Sequence, residues 1–410
     1  MVNLKKTLNL LDVSLATAGY VIGAGIYTII GIASKYGKNY TWISVILSGI
    51  LAICTGLSYS ELASMYNKNS GNYIYIKEAF NKTIANYSVY IFLVGQLLIQ
   101  TTVSLGLGEH IHTFIPLHPK VIAGSLISLS AYLNYSGIRQ AIDYNNIATI
   151  LEIGGLLLIS IIGFYNFDYN TFNLSSVNSE IYPILMGASI INFAYTGYDA
   201  AIQLSEETHN ESEIIPKGML YGIILTIILY TLVTLSATSS LGWEKLSKSK
   251  TPIADVASKM LGNHTGKIML FIALASMSNT LLMGNISSSR FIQSISKSIS
   301  LPFNLDKIDK NTRTPVNAIV IFTIVCIMTL FMGNLEKITT SCNIATVLIF
   351  ILINMAVIRL RLKLPNKKRN FKIPININNI PVSAIIGIIF SIIFSYVSIY
   401  HILDWQLTYN

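Results

Sequence analysis

Charge is scarce in this chain. Only 11% of its 410 residues are Asp, Glu, Lys or Arg, where a soluble domain carries roughly 25%. An ordinary water-soluble fold is therefore excluded. Cysteine is nearly absent: Cys54, Cys326 and Cys342 fall inside apolar runs without C-x-x-C spacing, so neither a disulfide framework nor a metal site is indicated. No polar stretch is long enough for a soluble domain. Enzyme signatures are missing as well. There is no H-E-x-x-H, no G-x-S-x-G and no P-loop, which argues against an enzyme, a bound cofactor and an ATP-driven pump. The channel-filter pattern T-V-G-Y-G is absent too.

What the chain has is apolar length. Hydrophobic residues make up 52%, and several runs reach the ~20 residues that cross a bilayer. The fold class expected is an all-α integral membrane protein with about eleven spans, near 12–34, 41–63, 86–109, 119–136, 144–165, 182–204, 217–241, 267–293, 315–333, 337–359 and 381–403. The longest connections, near 64–85, 242–266, 294–314 and 360–380, read as polar loops, so residues 1–410 form a single membrane domain. One signal peptide cannot account for this many runs. With the N-terminus in the cytoplasm, most of the 28 Lys and Arg fall on the cytoplasmic side, as the positive-inside rule requires. The net charge of +9 then needs no nucleic acid. The basic run Arg359 to Lys372 reads as a topology anchor beside anionic lipid.

The first span is unusual. Residues 12–34 read DVSLATAGYVIGAGIYTIIGIAS, with Gly19, Gly23 and Gly25 at the centre. Glycine holds a helix poorly, and irregular backbone survives in lipid only where protein or a cavity covers it. Gly23-Ala24-Gly25 is therefore expected to break the helix and turn freed backbone groups toward a ligand. The alternative is close packing, since Gly19 and Gly23 also form a small-xxx-small face. The sixth span has a counterpart: residues 187–204 read GASIINFAYTGYDAAIQL, with Gly197 about as deep as Gly25. Interrupted spans at matching positions of two halves point to a transporter site. Spans one to five (12–165) and six to ten (182–359) are then inverted repeats, and 381–403 is a peripheral helix.

GAGIY (23–27) and FAYTGYDA (193–200) resemble the amino acid–polyamine–organocation (APC) transporter superfamily. So do SYSELASMYNKNSGNYIYIKEAF (58–80), SEETHNESEIIPKGM (205–219), SNTLLMGNISSSRFIQSISKSISLP (278–302) and RTPVNAI (313–319), in the family's order along the chain. The resemblance covers residues 8 to about 360. It implies a five-plus-five inverted-repeat fold with discontinuous first and sixth helices. It also implies a carboxylate site at the N–H groups of Gly23, Ala24, Gly25 and Ile26. The amino group would meet carbonyls of Val21 or Ile22 and of Phe193, Ala194 and Tyr195, with Gly197 at the second break. Helix termini suit both roles, offering free N–H donors at one end and free carbonyls at the other. Phe193 and Tyr195 read as lid and wall over the bound side chain, or as helix–helix contacts; Tyr198 is open between the two.

Four charged residues stand out as coupling or gating groups. Asp199 lies within the sixth span, where an unpaired carboxylate is costly; it would attract a cationic cargo, pair with a base or belong to a gate. Glu152 lies mid-fifth span, where some proton-coupled relatives place a lysine. It reads as the carrier of a coupled proton, or as a fixed carboxylate bonded to the first break. Glu61 and Arg290 end the second and eighth spans and are expected to pair. Asp12 is expected to cap the first helix. His110, His112 and His118 cluster near Glu109 without tetrahedral spacing, so no metal is expected.

These readings imply a secondary transporter for amino acids, proton-coupled or exchanging, with a small-molecule cargo, a proton and the lipid bilayer as its partners. A polyamine or basic amino-acid antiporter is the rival within transport. A non-transporting sensor or scaffold is the rival outside it. The family usually has twelve spans; this chain stops at Asn410, just after the eleventh.

Overall fold

The computed structural model describes residues 5–23, 25–66, 68–112, 114–165, 167–168, 171, 180–299, 301–331 and 335–409. Helix dominates. The first span is α1 (Leu10–Val21), a π-helical turn (Gly25–Ile29) and α2 (Ile30–Gly37). Then come α3 (Thr41–Met65), α4 (Gly71–Ala79), α5 (Lys82–His112), α6 (Pro119–Ser136) and α7 (Ile138–Tyr165). The sixth span is α8 (Ile181–Ile191) followed by two 3₁₀ segments, Asn192–Tyr195 and Tyr198–Glu207. After it lie α9 (Glu211–Leu241), α10 (Trp243–Lys248), α11 (Pro252–Leu261), α12 (Asn263–Ser296), α13 (Val316–Thr329) and α14 (Leu335–Lys363). A short antiparallel ribbon, β1 (Asn376–Ile377) and β2 (Ile380–Pro381), leads into α15 (Val382–Tyr409).

Among the described residues, seven helical stretches are long and apolar enough to cross a membrane, the first being the run Leu10–Met65 taken whole. Val316–Thr329 is a shorter apolar helix. The long connections are not bare loops. The first contains α4, the second α10 and α11, and the fourth the ribbon. α4 is amphipathic enough to bury Tyr73, Tyr75 and Ile76, which is why a stretch too polar to span still packs. In the third connection, Asp309 accepts the backbone N–H groups of Asn311 (2.9 Å) and Thr312 (3.0 Å). These bonds hold its carboxyl below the usual range.

The start of α1 corrects one expectation. Asn9, not Asp12, is the N-cap, its Oδ1 accepting from Leu11 N (2.8 Å) and Asp12 N (3.1 Å). Asp12 closes the capping box by accepting from Asn9 N at 3.1 Å. Its carboxylate also takes Asn146 Nδ2 (2.8 Å) and Arg139 (3.4 Å), tying α1 to α7.

α9 packs against both α1 and α3. Gly218 and Gly222 of α9 lie directly against Val13 and Thr17 of α1, the close approach small residues allow where no hydrophobic effect drives association. α14 packs against α5, and α12 against α5 and α7. The two interrupted spans are packed against α3, α7, α9, α12 and α14.

Candidate functional site

The first break lies where glycine crowding places it. α1 ends at Val21, and Ile22 leaves the helix with ψ 115° while its N–H still reaches Ala18 O. Regular winding resumes only at Gly25, as a π-helical turn. Turns of this kind are rare, and they are frequent at functional sites. A helix restarting here presents its first N–H groups without partners in the same helix. Ala24 lies outside the described residues. The helix is interrupted here, and Gly19 and Gly23 also pack closely against Asn279 and Thr280 of α12.

The second break faces the first. After Tyr195 the chain extends at Thr196 (ψ 152°) and turns through Gly197 at φ 106°. Only glycine adopts that φ without cost, and a β-carbon there would also stand 3.0 Å from the Tyr20 ring. Gly25 touches Ala194 so closely that any side chain at Gly25 would collide with its Cα.

Tyr230, on α9, links the two breaks. Its hydroxyl lies 2.9 Å from Val21 O and 3.2 Å from Ala194 O, so one donor addresses a freed carbonyl on each broken helix. Its ring sits 5.2 Å from that of Tyr195. Ile22 O faces the other way, 3.2 Å from both Ser276 Oγ and Thr280 Oγ1 of α12. Phe193 O is taken by Thr196, through N (3.0 Å) and Oγ1 (2.7 Å). The carbonyls of Val21 and Ala194 therefore share one donor on α9, that of Ile22 is bonded to α12, and that of Phe193 is spent on its own turn. Ile26, Phe193, Ala194 and Tyr195 are all buried.

Asp199 follows the second break and is buried. It lines a cavity of about 20 Å³ with Gln96, Ile99, Gly197, Ala345 and Phe350. That volume holds about one water molecule. Tyr198 is wedged between Tyr59 (6.1 Å) and Phe350 (5.6 Å). Glu152 is fully buried on α7 and accepts a hydrogen bond from Ser276 Oγ.

A sequence profile described as amino acid permease matches residues 8–404. The chain belongs to that family. Membership of the APC superfamily follows, and the permease is a transporter-type protein rather than an enzyme. It is similar to the branched-chain amino acid permease of Bacillus subtilis, at 26% identity over 99% of this chain and 91% of the relative. It is also similar to cationic amino acid transporter 1 of Arabidopsis thaliana (23%, 87% of this chain, 62% of the relative). The human cystine/glutamate transporter is 26% identical over 91% of this chain and 77% of its own length.

In this permease the expected Glu61–Arg290 pair does not form. Glu61 binds Arg361 Nε (2.7 Å), Arg369 Nε (3.0 Å) and Ile373 N (2.9 Å). Arg290 binds Glu207 at 3.4 Å and Asn134 Oδ1 at 2.5 Å. Four of these five charged groups are at most 1% exposed, and the fifth, Arg369, is 7% exposed. The reason is topological: each charge finds the nearest opposite charge on the loop or helix end beside it. Arg361 and Arg369 were expected at the lipid surface with the rest of the basic run. Instead they are drawn inward, because Glu61 at a buried helix end needs a counter-charge.

The histidines near Glu109 also bind backbone. His110 Nδ1 lies 2.8 Å from Gly106 O, His112 Nδ1 lies 2.8 Å from Leu117 O, and His118 caps α6 through Lys120 N. Sequence reasoning missed Tyr230, Ser276 and Thr280. The only signal for the last two was a pair of hydroxyls one helical turn apart in an apolar run, which puts both on one face.

Proposed function

We propose that this permease moves amino acids across a membrane by alternating access, with the cargo held between the two helix breaks. In this reading the chain crosses the membrane about eleven times from a cytoplasmic N-terminus. Residues 12–165 and 182–359 are inverted repeats, and 381–403 is peripheral. The carboxylate binds at residues 23–26, and the ammonium group displaces the Tyr230 hydroxyl from the Val21 and Ala194 carbonyls. The observation that carries the reading is that one hydroxyl already bridges those carbonyls. α3, α9 and the two broken helices rock against the remainder, opening the small cavity at Asp199. Glu152 carries the coupled proton. The relatives support an amino acid as cargo, since their names span branched-chain, cationic and acidic kinds. Asp199 on the cavity wall favours a basic amino acid or polyamine as the second reading.

Counterflow in proteoliposomes loaded with leucine, arginine or putrescine, at two pH values, tests this. Exchange of at least one α-amino acid is expected, with a pH dependence that Glu152→Gln removes. Exchange of putrescine alone would replace the reading with an amine exchanger. Binding without any counterflow would replace it with a sensor.

A further inference from the structure

Two buried carboxylate–arginine clusters lie between the parts that the transport reading moves and those it holds still. One is at the end of α3, the other at the end of the sixth span. They are built differently. At the first, Glu61 accepts from Arg361 Nε (2.7 Å), Arg369 Nε (3.0 Å) and Ile373 N (2.9 Å), and Arg361 Nη2 adds a second arm to the fork. The arginines are held in turn. Arg369 donates to Leu364 O at 3.0 Å, and Arg361 donates to Asn376 of the ribbon. One turn on from Glu61, Ser64 Oγ donates to Phe371 O at 3.2 Å. The Lys367 ammonium stands 3.5 Å from the centre of the Tyr66 ring. The segment 364–381, between α14 and α15, is thus fastened to the last turns of α3.

At the second cluster, Glu207 meets one guanidinium, that of Arg290, at 3.4 and 3.5 Å. These distances are long for charge-assisted bonds. Arg290 also has other partners, Asn134 Oδ1 (2.5 Å) and Ser289 Oγ (3.3 Å). Beside it, Lys297 and Glu206 form a partly exposed pair at 3.7 Å, of the kind that contributes little.

α3 and the exit of the sixth span belong to one packed body. Gly49 and Gly56 of α3 lie against Ile227 and Ile223 of α9, and α9 in turn packs on α1. The lead-in to α1 is bonded to the exit of the sixth span. Thr7 N and Leu8 N donate to Glu207 O (2.9 and 3.1 Å), and His209 N donates to Leu8 O (3.0 Å). Close-packed interiors transmit strain rather than absorb it. A body held hard at one point and lightly at another turns about the first and parts at the second.

We infer that the Glu61 cluster is the fulcrum of the rocking motion and that the Glu207–Arg290 contact is its cytoplasmic catch. Parting Glu61 from its arginines strands three charges in low dielectric, which is strongly unfavourable. Parting Glu207 from Arg290 leaves the arginine bonded to Asn134 and Ser289 and turns the carboxylate toward the opening, where water solvates it. The segment 364–381 serves to pin α3. The inference rests on the transport reading, and its test separates the two.

The test joins cysteine pairs with a short, reducible thiol-to-thiol linker in the reconstituted full chain. Counterflow is measured before linking, after linking and after reduction, with the extent of linking read by mass spectrometry. Ser64→Cys with Phe371→Cys spans the fulcrum. Glu206→Cys with Lys297→Cys spans the catch. Cys54, Cys326 and Cys342 are buried, and wild type treated alike controls for them. The linked fulcrum pair should exchange as fast as before linking. The linked catch pair should fall to background and recover on reduction. Loss of exchange on linking the first pair would overturn the fulcrum, and undiminished exchange on linking the second would overturn the catch. If the first pair does not fold, Tyr66→Cys with Lys367→Cys takes its place. A wild type that exchanges no amino acid removes the transport reading and the fulcrum together. Exchange with the opposite linking pattern removes the fulcrum alone.

Discussion

Gly25 lies against Ala194, and no side chain fits between them. The contact joins two segments about 170 residues apart in sequence, each at the point where its own helix is interrupted. Two broken helices in contact bring backbone N–H groups and carbonyls into one small volume. In an apolar surrounding such groups demand partners. Tyr230, Ser276 and Thr280 provide them on either side.

Tyr230→Phe removes the bridging hydroxyl and leaves the ring. A buried hydrogen bond of this kind contributes about 0.5–1.5 kcal/mol, so unfolding stability should fall by that amount. If the hydroxyl also shapes the ammonium site, half-saturation in counterflow changes while expression does not. Unchanged stability and unchanged half-saturation together would contradict the bridging role.

Glu61→Gln leaves Arg361 and Arg369 buried without their counter-charge. Removing one partner of a buried pair costs about 3–5 kcal/mol. The exposed pair Lys217–Glu213, at 3.7 Å, offers a control, since surface pairs contribute about 0–1 kcal/mol. Glu61→Gln should lower the thermal midpoint far more than Glu213→Gln. Equal shifts would mean that the buried cluster is solvated.

Arg290 and Glu207 should show coupling in a double-mutant cycle. Arg290→Met alone strands Glu207, and Glu207→Gln alone strands Arg290. Removing both strands neither, so the double variant should lose less stability than the two single losses added, by about 0.5–3 kcal/mol. Strict additivity would contradict the pair.

Asn9→Ala should cost about 1 kcal/mol through loss of the cap. Asp12→Asn should cost more. It weakens the capping box and also the contacts to Asn146 and Arg139. The order of the two losses in a thermal scan checks the reassigned cap.

The helical class and both interruptions were legible in the sequence. Glycine clusters in apolar runs and hydropathy report backbone preference directly. The charge partners were not legible. Which arginine Glu61 meets depends on how the chain after α14 folds back, and Arg361 and Arg369 carry no local mark that sets them apart from neighbouring lysines. α4 was hidden for another reason: its tyrosines make it too polar to read as a span, yet they bury against the bundle. The cap moved from Asp12 to Asn9 because both are good capping residues three positions apart, which is the spacing of a capping box.

The claim that the two breaks hold the cargo is tested most directly at Gly25. Wild type and Gly25→Leu, reconstituted at equal amounts and with matching elution profiles, are compared in counterflow with whichever amino acid the wild type exchanges fastest. A leucine side chain at that point meets Ala194 and fills the space beside the freed N–H groups, so exchange and binding should both fall to background. Exchange by Gly25→Leu at the wild-type rate would contradict the account.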